Sequence, residues 1–226
     1  MCGLCGEITF DGSTADVGAV ARMAAHQAPR GPDGEGIVAQ GRVAFGHRRL
    51  KIIDLSERGA QPMSDPALGL TLVFNGCIYN HKDLRRELEG LGYRFFSHSD
   101  TEVVAKAWHA WGIEAPQRFH GMFAFAVHER DSGRVALCRD RFGIKPLYLA
   151  ENARRLRFAS TLPALLAAGD VDTAIDRVGL SPYLTLHAAV PPPPPTPPRL
   201  RSLPPATPPR PPADGGPRGP LRRHIS

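Results

Sequence analysis

The sequence predicts a layered α+β fold rather than a parallel, doubly wound sheet. Predicted strands come in two batches, and predicted helices flank them without the strict strand–helix alternation that a parallel sheet shows. The chain has 226 residues, of which 42% are hydrophobic, and this content is compatible with a real core.

The first batch of strands begins almost at the N-terminus, where residues 3–10 are predicted to form a strand. Residues 16–28 are predicted to form a helix, because their apolar positions recur at helical spacing. Residues 30–34 are rich in Gly, Pro and Asp and predict a turn. Two short strands around Gly41 are expected within residues 36–47.

The middle of the chain contains one further strand and two helices. Residues 70–74 are predicted to form a strand that ends at the Asn-Gly pair at 75–76. Residues 82–91 have a helical pattern that a glycine closes. Residues 99–102 have the spacing of a capping box, which predicts a helix that continues to about residue 111.

The second batch consists of four short strands, followed by a helix. Strands are predicted over residues 122–128, 134–139, 147–150 and 156–159, and a short helix over residues 161–168. Residues 1–190 therefore contain all the predicted elements.

Most of the net charge lies in a Pro-rich tail. The whole chain has 28 Lys and Arg against 22 Asp and Glu, a net charge of +6. Residues 191–226 contain 15 of the 23 prolines, six arginines and one acid, so this tail carries +5 and residues 1–190 carry +1. We expect the tail to be disordered or polyproline II, with a Pro-rich ligand for aromatic grooves as the alternative. The basic balance therefore does not indicate a nucleic-acid or membrane partner for the globular part.

Several function classes are excluded by pattern. There is no run of 18 apolar residues, so a transmembrane helix is not expected. The N-terminus lacks the features of a secretory signal, and four cysteines without such a signal predict free thiols in the cytoplasm. Cys2 and Cys5 have the spacing of a zinc or redox pair, but no further ligand pair accompanies them, and no metal site is expected.

Cys2 is a candidate nucleophile because of its place in the chain. A small second residue allows Met1 to be removed, and the mature chain would then begin with a cysteine whose α-amine adjoins its thiol. An α-amine has a pKa of about 7.7–8.0, so a useful fraction is neutral at neutral pH and can accept the thiol proton. Taken alone, the alternative that Cys2 is incidental is the stronger one.

Six motifs in order change this interpretation. They are Cys-Gly-Leu-Cys-Gly at 2–6, Arg-Gly-Pro-Asp-Gly-Glu-Gly at 30–36, Gly-His-Arg-Arg-Leu-Lys-Ile-Ile-Asp at 46–54, Phe-Asn-Gly-Cys-Ile-Tyr-Asn at 74–80, Ser-Asp-Thr-Glu at 99–102, and Arg-Asp-Arg-Phe-Gly-Ile-Lys-Pro-Leu-Tyr at 139–148. Together they resemble the class II glutamine amidotransferase domain of the glutamine-hydrolysing asparagine synthetases. The resemblance covers residues 2–190.

The resemblance implies an N-terminal-nucleophile hydrolase fold, an αββα sandwich of two antiparallel sheets between helical layers. It also implies hydrolysis of glutamine to glutamate and ammonia, with Cys2 attacking the side-chain amide carbon. Asn75, through its side-chain amide, and Gly76, through its N–H, would form the oxyanion hole. The alternative for this dipeptide is a hairpin turn, and a tight turn could also hold two donors.

The resemblance also implies a set of substrate-binding residues. Arg49 would bind the glutamine α-carboxylate, since its planar fork suits a carboxylate. Backbone groups of Ile52 and Ile53 would line the same pocket. Asp100 would bind the α-ammonium, with a plain helix cap as the alternative for this residue.

Cys77 departs from the family pattern. The family usually has Glu at this position, where it helps to bind the α-ammonium, and a thiol is neutral at neutral pH unless its pKa is depressed. Asp100 would then bind the ammonium alone, or Cys77 would contribute its backbone carbonyl. This feature is similar to a subgroup that forms N-acetylglutaminylglutamine amide.

The ATP-dependent synthetase domain of the family is not represented in the sequence. Its pyrophosphate-binding pattern, Ser-Gly-Gly-x-Asp-Ser, is absent. We therefore expect no cofactor for this chain, with ATP and Mg²⁺ needed only by a synthetase domain or subunit that would act in trans. Two hypotheses follow: an active glutaminase that normally supplies an acceptor domain, or an idle or regulatory fragment whose tail mediates interactions. We interpret the chain as a truncated or frame-shifted product of a longer gene.

Overall fold

In a computed structural model of the chain, the structure describes residues 1–171, 201–203 and 224–225. The strands in these residues are β1 (Gly3–Thr9), β2 (Gly34–Gln40), β3 (Val43–Arg49), β4 (Met63–Asp65), β5 (Leu70–Ile78), β6 (Gly121–Glu129), β7 (Val135–Arg139), β8 (Tyr148–Glu151), β9 (Arg155–Ala159), β10 (Arg201–Ser202) and β11 (His224–Ile225). The α-helices are α1 (Val17–His26), α2 (His81–Gly90), α3 (Asp100–Trp111) and α4 (Leu162–Ala167). Short 3₁₀ helices cover Ala28–Arg30, Glu57–Gly59 and Gly112–Arg118.

The strands form two sheets. Sheet A has the order β10-β8-β9-β1-β3-β2, and sheet B has the order β11-β7-β6-β5-β4. Neighbouring strands are antiparallel, except that β11 pairs with β7 in parallel. The first strand of the chain therefore lies inside sheet A, between β9 and β3.

Three apolar layers hold the sheets and helices together. The central layer lies between the sheets and includes Leu4, Phe45 and Phe158, all of them buried. A second layer packs α1 and α4 against sheet A, and a third packs α2 and α3 against sheet B. This αββα sandwich confirms the predicted fold class.

The element predictions are confirmed closely for most of the chain. Helix α1 begins after Asp16, whose carboxylate accepts a hydrogen bond from the Ala19 N–H at 2.9 Å, as an N-cap side chain does. The short strand β4 had no clear period in the sequence and was not predicted.

The predicted end of the fifth strand is wrong. Strand β5 continues through Asn75 and Gly76 to Ile78, and these residues pair with Ala124, Phe123 and Gly121 of β6. The dipeptide therefore forms no hairpin turn. A glycine is needed at position 76 because strand β6 approaches it closely. A Cβ there would lie 2.4 Å from the Met122 carbonyl oxygen.

Part of the predicted tail belongs to the sheets. Strand β10 pairs with β8, and the Leu203 N–H donates to the Leu147 carbonyl at 2.8 Å. The Leu203 side chain is 0% exposed in the layer between the sheets. Apart from residues 201–203 and 224–225, the prediction of a disordered tail over residues 191–226 lies outside the described residues, as do residues 172–190 of the predicted domain.

Within the part of the chain that the structure describes, no helix is both long and apolar enough to span a membrane.

We expect Leu203→Ala to lower the free energy of unfolding by about 2–5 kcal/mol, because it leaves a cavity in the central layer. Urea denaturation followed by circular dichroism measures this loss. Ser202→Ala is the matched control, because Ser202 is exposed and its replacement removes only an exposed hydrogen bond from Arg139 Nη1, 2.9 Å long, which should cost about 1 kcal/mol. Equal stability of the Leu203→Ala and Ser202→Ala variants would show that this segment does not contribute to the core.

Candidate active site

Cys2 lies immediately before β1, where the end of strand β3 meets it. Its Sγ accepts a hydrogen bond from the Leu50 N–H at 3.4 Å, and Arg30 Nε donates to the Cys2 carbonyl at 3.1 Å. Burial raises the pKa of the Cys2 thiol, while the Leu50 hydrogen bond, the Met1 amine and Arg49 act in the opposite direction. In a chain that carries Met1, the thiol therefore needs a base to become a nucleophile.

Cys5 does not form a pair with Cys2. The two residues are three apart along an extended segment, so their side chains fall on opposite faces of sheet A. Cys5 is buried beneath α1, where its Sγ lies 3.7 Å from the Val20 carbonyl oxygen. Burial raises the pKa of the Cys5 thiol to about 12.

Strand β5 extends past its neighbour β4, which pairs only with residues 70–72. We call residues 74–78, on the side of β5 away from β6, the open edge of β5. Side chains occupy the two ends of this edge. Gln61 Oε1 accepts from the Phe74 N–H at 2.6 Å, and Asp100 Oδ2 accepts from the Ile78 N–H at 3.0 Å.

The Gly76 N–H points to the middle of the open edge. The Phe123 N–H donates to the Asp140 carboxylate at 3.2 Å and its carbonyl accepts from the Asp140 N–H at 2.7 Å, so both groups face away from β5. The Gly76–Phe123 pair is therefore one of the non-hydrogen-bonded pairs that alternate along an antiparallel ladder. The Gly76 N–H faces the same side as those of Phe74 and Ile78, between the two filled positions.

Asn75 supplies a second donor beside Gly76. Its side chain is 1% exposed, and its Nδ2 has no hydrogen-bond partner among the described residues. A buried amide N–H without an acceptor is costly and is rare in native proteins. The structure therefore brings together two adjacent donors that can receive a developing negative charge, as an oxyanion hole requires.

Asp100 is the first residue of α3 and is buried. Burial raises the pKa of its carboxyl group, against the hydrogen bond from the Ile78 N–H. The alternative that Asp100 is a plain helix cap is wrong, because Ser99 is the N-cap and its Oγ accepts from the Glu102 N–H at 3.2 Å. Asp100 also contributes to the raised pKa of both the Cys2 and Cys77 thiols, which shows that the three groups share one electrostatic environment.

Cys77 is half-buried near Asp100 and Lys145. Burial raises the pKa of its thiol, Asp100 raises it further, and Lys145 acts in the opposite direction. The thiol is therefore neutral at neutral pH and does not supply a second negative charge beside Asp100.

Arg49 is buried at the end of β3, and it holds the loop that follows. Its Nη1 donates to the Ser56 carbonyl at 2.8 Å, and its Nη2 donates to the Asp54 carbonyl. These bonds use two of the five guanidinium N–H groups. Its role in binding a carboxylate stays a prediction.

Ile52 and Ile53 lie in the loop that Arg49 holds. The Ile52 side chain is 71% exposed, and that of Ile53 is partly buried. Asp54 anchors the loop from its other side, since its carboxylate accepts from the His98 N–H at 2.8 Å. The predicted contribution of the Ile52 and Ile53 backbones to the pocket is not decided by these contacts.

The sequence did not single out the residues that support the site. Asp140 is buried, and its carboxylate accepts from the N–H groups of Phe142, Ile144 and Lys145, which folds the loop after β7. The Lys145 ammonium lies in this loop, 3.3 Å from Met1 Sδ. Lys145 belongs to the last of the six motifs, so its position was marked, although its contact with the N-terminus was not.

The fold and the site together define a class of protein. The candidate nucleophile precedes a central strand of one sheet, and the two donors lie on a strand of the facing sheet, which is the construction of an N-terminal-nucleophile hydrolase.

The chain belongs to the glutamine amidotransferase family. The family model described as the glutamine amidotransferase domain matches residues 1–211. Two asparagine synthetases (glutamine-hydrolysing) of Bacillus subtilis are similar to the chain. Number 3 is 35% identical over 80% of the chain and 30% of its own length, and number 1 is 40% identical over 70% of the chain and 25% of its own length. The chain thus spans less than a third of these relatives.

Solved structures show the same fold. The glutamine phosphoribosylpyrophosphate amidotransferase of B. subtilis, complexed with ADP and GMP, matches with a TM-score of 0.63 and 22% identity, over 75% of this chain and 44% of that one. The structure of an allosteric regulatory enzyme of purine biosynthesis matches with a TM-score of 0.64 and 21% identity, over the same shares of the two chains.

We expect His47 to make stability depend on pH. Its ring is fully buried, and burial lowers its pKa from 6.5 to about 4. The folded state therefore binds fewer protons than the unfolded state between these values, and stability falls as the pH falls through this window, by at most about 1.4 kcal/mol per pH unit. The free energy of unfolding, measured by urea denaturation at a series of pH values, should change less steeply with pH in His47→Gln than in the wild type. The same pH dependence in both proteins would contradict a buried, neutral histidine.

Proposed function

We propose that this chain hydrolyses the side-chain amide of glutamine to glutamate and ammonia, with Cys2 as the nucleophile once Met1 has been removed. The observation that carries the proposal is the pair of donors on β5. Asn75 Nδ2 is buried and has no acceptor in the part of the chain that the structure describes, and the Gly76 N–H points to the open edge of β5. An amide hydrolase needs such a pair, and a purely structural role does not explain it.

The reaction follows from these groups. The α-amine of the mature Cys2 accepts the thiol proton, and Sγ forms a bond to the amide carbon while the carbonyl oxygen takes the negative charge. Asn75 and Gly76 stabilise this oxyanion. The intermediate then collapses, the amide nitrogen leaves as ammonia with a proton from the α-ammonium, and a γ-glutamyl thioester remains. Water adds to the thioester, the S–C bond breaks, and glutamate and the free thiol are released.

Asp100 and Arg49 would recognise the two charged groups of glutamine. The Asp100 carboxylate accepts a hydrogen bond from the Ile78 N–H at 3.0 Å, and a carboxylate has further acceptor positions that an α-ammonium can use. Arg49 carries the cation for the α-carboxylate, with the N–H groups that Ser56 and Asp54 do not occupy. A neutral Cys77 leaves Asp100 to bind the ammonium.

The acceptor of the ammonia belongs to a larger assembly. The two B. subtilis relatives are named as asparagine synthetases, and more than two thirds of their length lies outside the matched region. We propose that the ammonia supplies an ATP-dependent amidation by a synthetase domain or subunit in trans, where ATP and Mg²⁺ would be needed. The cytoplasmic location is part of the same proposal.

We expect 6-diazo-5-oxonorleucine, an electrophilic glutamine analogue, to add once to a chain that lacks Met1. Intact mass spectrometry reads both changes, and an ammonia assay with glutamine follows turnover. Cys2→Ala should abolish both the adduct and ammonia release. Cys5→Ala is the control, because Cys5 lies beneath α1, and it should keep the adduct. Retention of Met1, or an active Cys2→Ala variant, would overturn the proposal.

We expect Asp100→Asn to raise the KM for glutamine at least about tenfold, because it removes the charge that faces the α-ammonium. Cys77→Glu should lower the KM, since it adds a second carboxylate to the same environment. Steady-state kinetics measure both, and 4-carbamoylbutyrate, which lacks the α-amine, is the control substrate. If Asp100→Asn raises the KM for glutamine and for 4-carbamoylbutyrate by the same factor, Asp100 does not recognise the ammonium.

A further inference from the structure

The Phe74 backbone lies at the start of the open edge of β5, one residue before the two oxyanion donors. In a sheet, an additional strand would satisfy its N–H and carbonyl groups. Here side chains do so instead. Gln61 Oε1 accepts from the Phe74 N–H at 2.6 Å, and His47 Nε2 donates to the Phe74 carbonyl at 3.0 Å. Both side chains are buried, His47 completely.

We infer that His47 and Gln61 are positioning residues for the oxyanion hole: their contacts with Phe74 fix the orientation of the donors on Asn75 and Gly76. This inference rests on the proposed function. The reaction steps described above do not involve His47 or Gln61, and the inference gives these two buried polar residues a role.

The distance between the proposed nucleophile and the donors depends on how the two sheets are held against each other. His47 lies on β3 and pairs with Leu4 of β1, the strand that follows Cys2. Phe74 lies on β5 of the other sheet. The His47–Phe74 hydrogen bond therefore connects the sheet that carries the nucleophile to the strand that carries the donors. Apolar packing between the sheets is non-directional, whereas this bond has a defined length and direction.

The orientation of the Gly76 N–H depends on how firmly the neighbouring residues of β5 are held. A glycine is required at this position by the approach of β6, and glycine has more backbone freedom than any other residue. The peptide is held from both sides: Phe74 is fixed by His47 and Gln61, and Ile78 is fixed by Asp100. Without the contacts to Phe74, the Gly76 N–H and the Asn75 side chain would be held from one side.

Gln61 also contacts helix α3. Its Nε2 donates to Thr101 Oγ1 at 3.3 Å, and Thr101 follows Asp100 in the helix. Gln61 therefore connects the oxyanion strand to the helix that carries the expected ammonium-binding carboxylate. The amide oxygen of Gln61 contacts strand β5 and its amide nitrogen contacts helix α3, so this side chain sets the position of the strand relative to the helix.

His47 is suited to this role because it stays neutral. Burial lowers the pKa of its ring to about 4, and the nearby Arg49 acts in the same direction. Since a carbonyl can only accept, Nε2 carries the proton and Nδ1 carries the lone pair. Nδ1 has no partner within the described residues. The donor to Phe74 is thus retained throughout the neutral pH range.

The experiment compares His47→Met with His47→Gln in the full chain. Methionine fills the space without a donor, whereas the glutamine Nε2 can replace the histidine Nε2. We expect His47→Met to lower kcat for glutamine about 10- to 100-fold, less than or equal to the loss of a whole oxyanion donor, with KM within about threefold. His47→Gln should recover most of this loss. Gln61→Met should behave like His47→Met.

A second readout separates orientation from general damage. Glutamate γ-semialdehyde adds to Cys2 as a hemithioacetal: the S–C bond forms, and the thiol proton ends on the former aldehyde oxygen, which occupies the oxyanion hole. Its affinity should fall in parallel with kcat in His47→Met and Gln61→Met. The affinity for glutamate, which forms no such adduct, should be unchanged. Loss of a residue that only stabilises the fold would not weaken the binding of the aldehyde while leaving the binding of glutamate unchanged.

The control is Thr71→Val, a buried change in the same strand away from the open edge. It removes the contact between Thr71 Oγ1 and Ser64 Oγ, 3.2 Å apart, and should lower stability without changing the kinetics. A folded His47→Met variant with wild-type kcat and aldehyde affinity overturns the inference, and if that variant does not fold, the same result for Gln61→Met overturns it. A wild-type chain that neither releases ammonia nor binds the aldehyde overturns the proposed function and the inference with it.

Discussion

The site depends on a strand that is longer than its neighbour. Strand β5 continues beyond the end of β4, so no strand of the described part of the chain pairs with the backbone groups of residues 74–78 on that side. Buried backbone groups need partners, and Gln61, His47 and Asp100 supply them at both ends of this edge. In the proposed function, the N–H of Gly76 in the middle of this edge binds the oxyanion.

The rest of the sandwich positions Cys2, the proposed nucleophile. Strand β1 lies between β9 and β3 in sheet A, so Cys2 emerges from the middle of the sheet rather than from its border. The loops that surround it are held by buried charged groups, Arg49 for the loop after β3 and Asp140 for the loop after β7. Both groups bond to backbone atoms. The conformation of both loops is therefore held through their backbone atoms, while the Ile52 side chain is exposed.

Local patterns predicted the elements well where a single element decides the outcome. The helix α1 with its Asp16 cap and the helix α3 after Ser99 follow from spacing and capping chemistry, which act over one turn. The same local reasoning failed at Asn75 and Gly76. This dipeptide typically forms turns, yet it lies within β5, because pairing with Ala124 and Phe123, nearly fifty residues away, outweighs the turn preference. Strand β4 was missed because it has three residues and no period.

The residue pattern was enough to predict the layered fold class and the candidate nucleophile. The order of the motifs also identified Asn75, Gly76, Arg49 and Asp100 as candidate site residues. Which polar groups lack a partner became visible only in the folded structure. Among the described residues, Asn75 Nδ2 has no partner, and the Gly76 N–H lies between neighbours whose N–H groups are taken by Gln61 and Asp100, while Asp140 takes that of Phe123 on the facing strand. Likewise, Leu203 belongs to the core, although two prolines follow it directly in a Pro-rich segment. Hydrogen-bond satisfaction and burial depend on contacts between distant segments, and no local pattern encodes them.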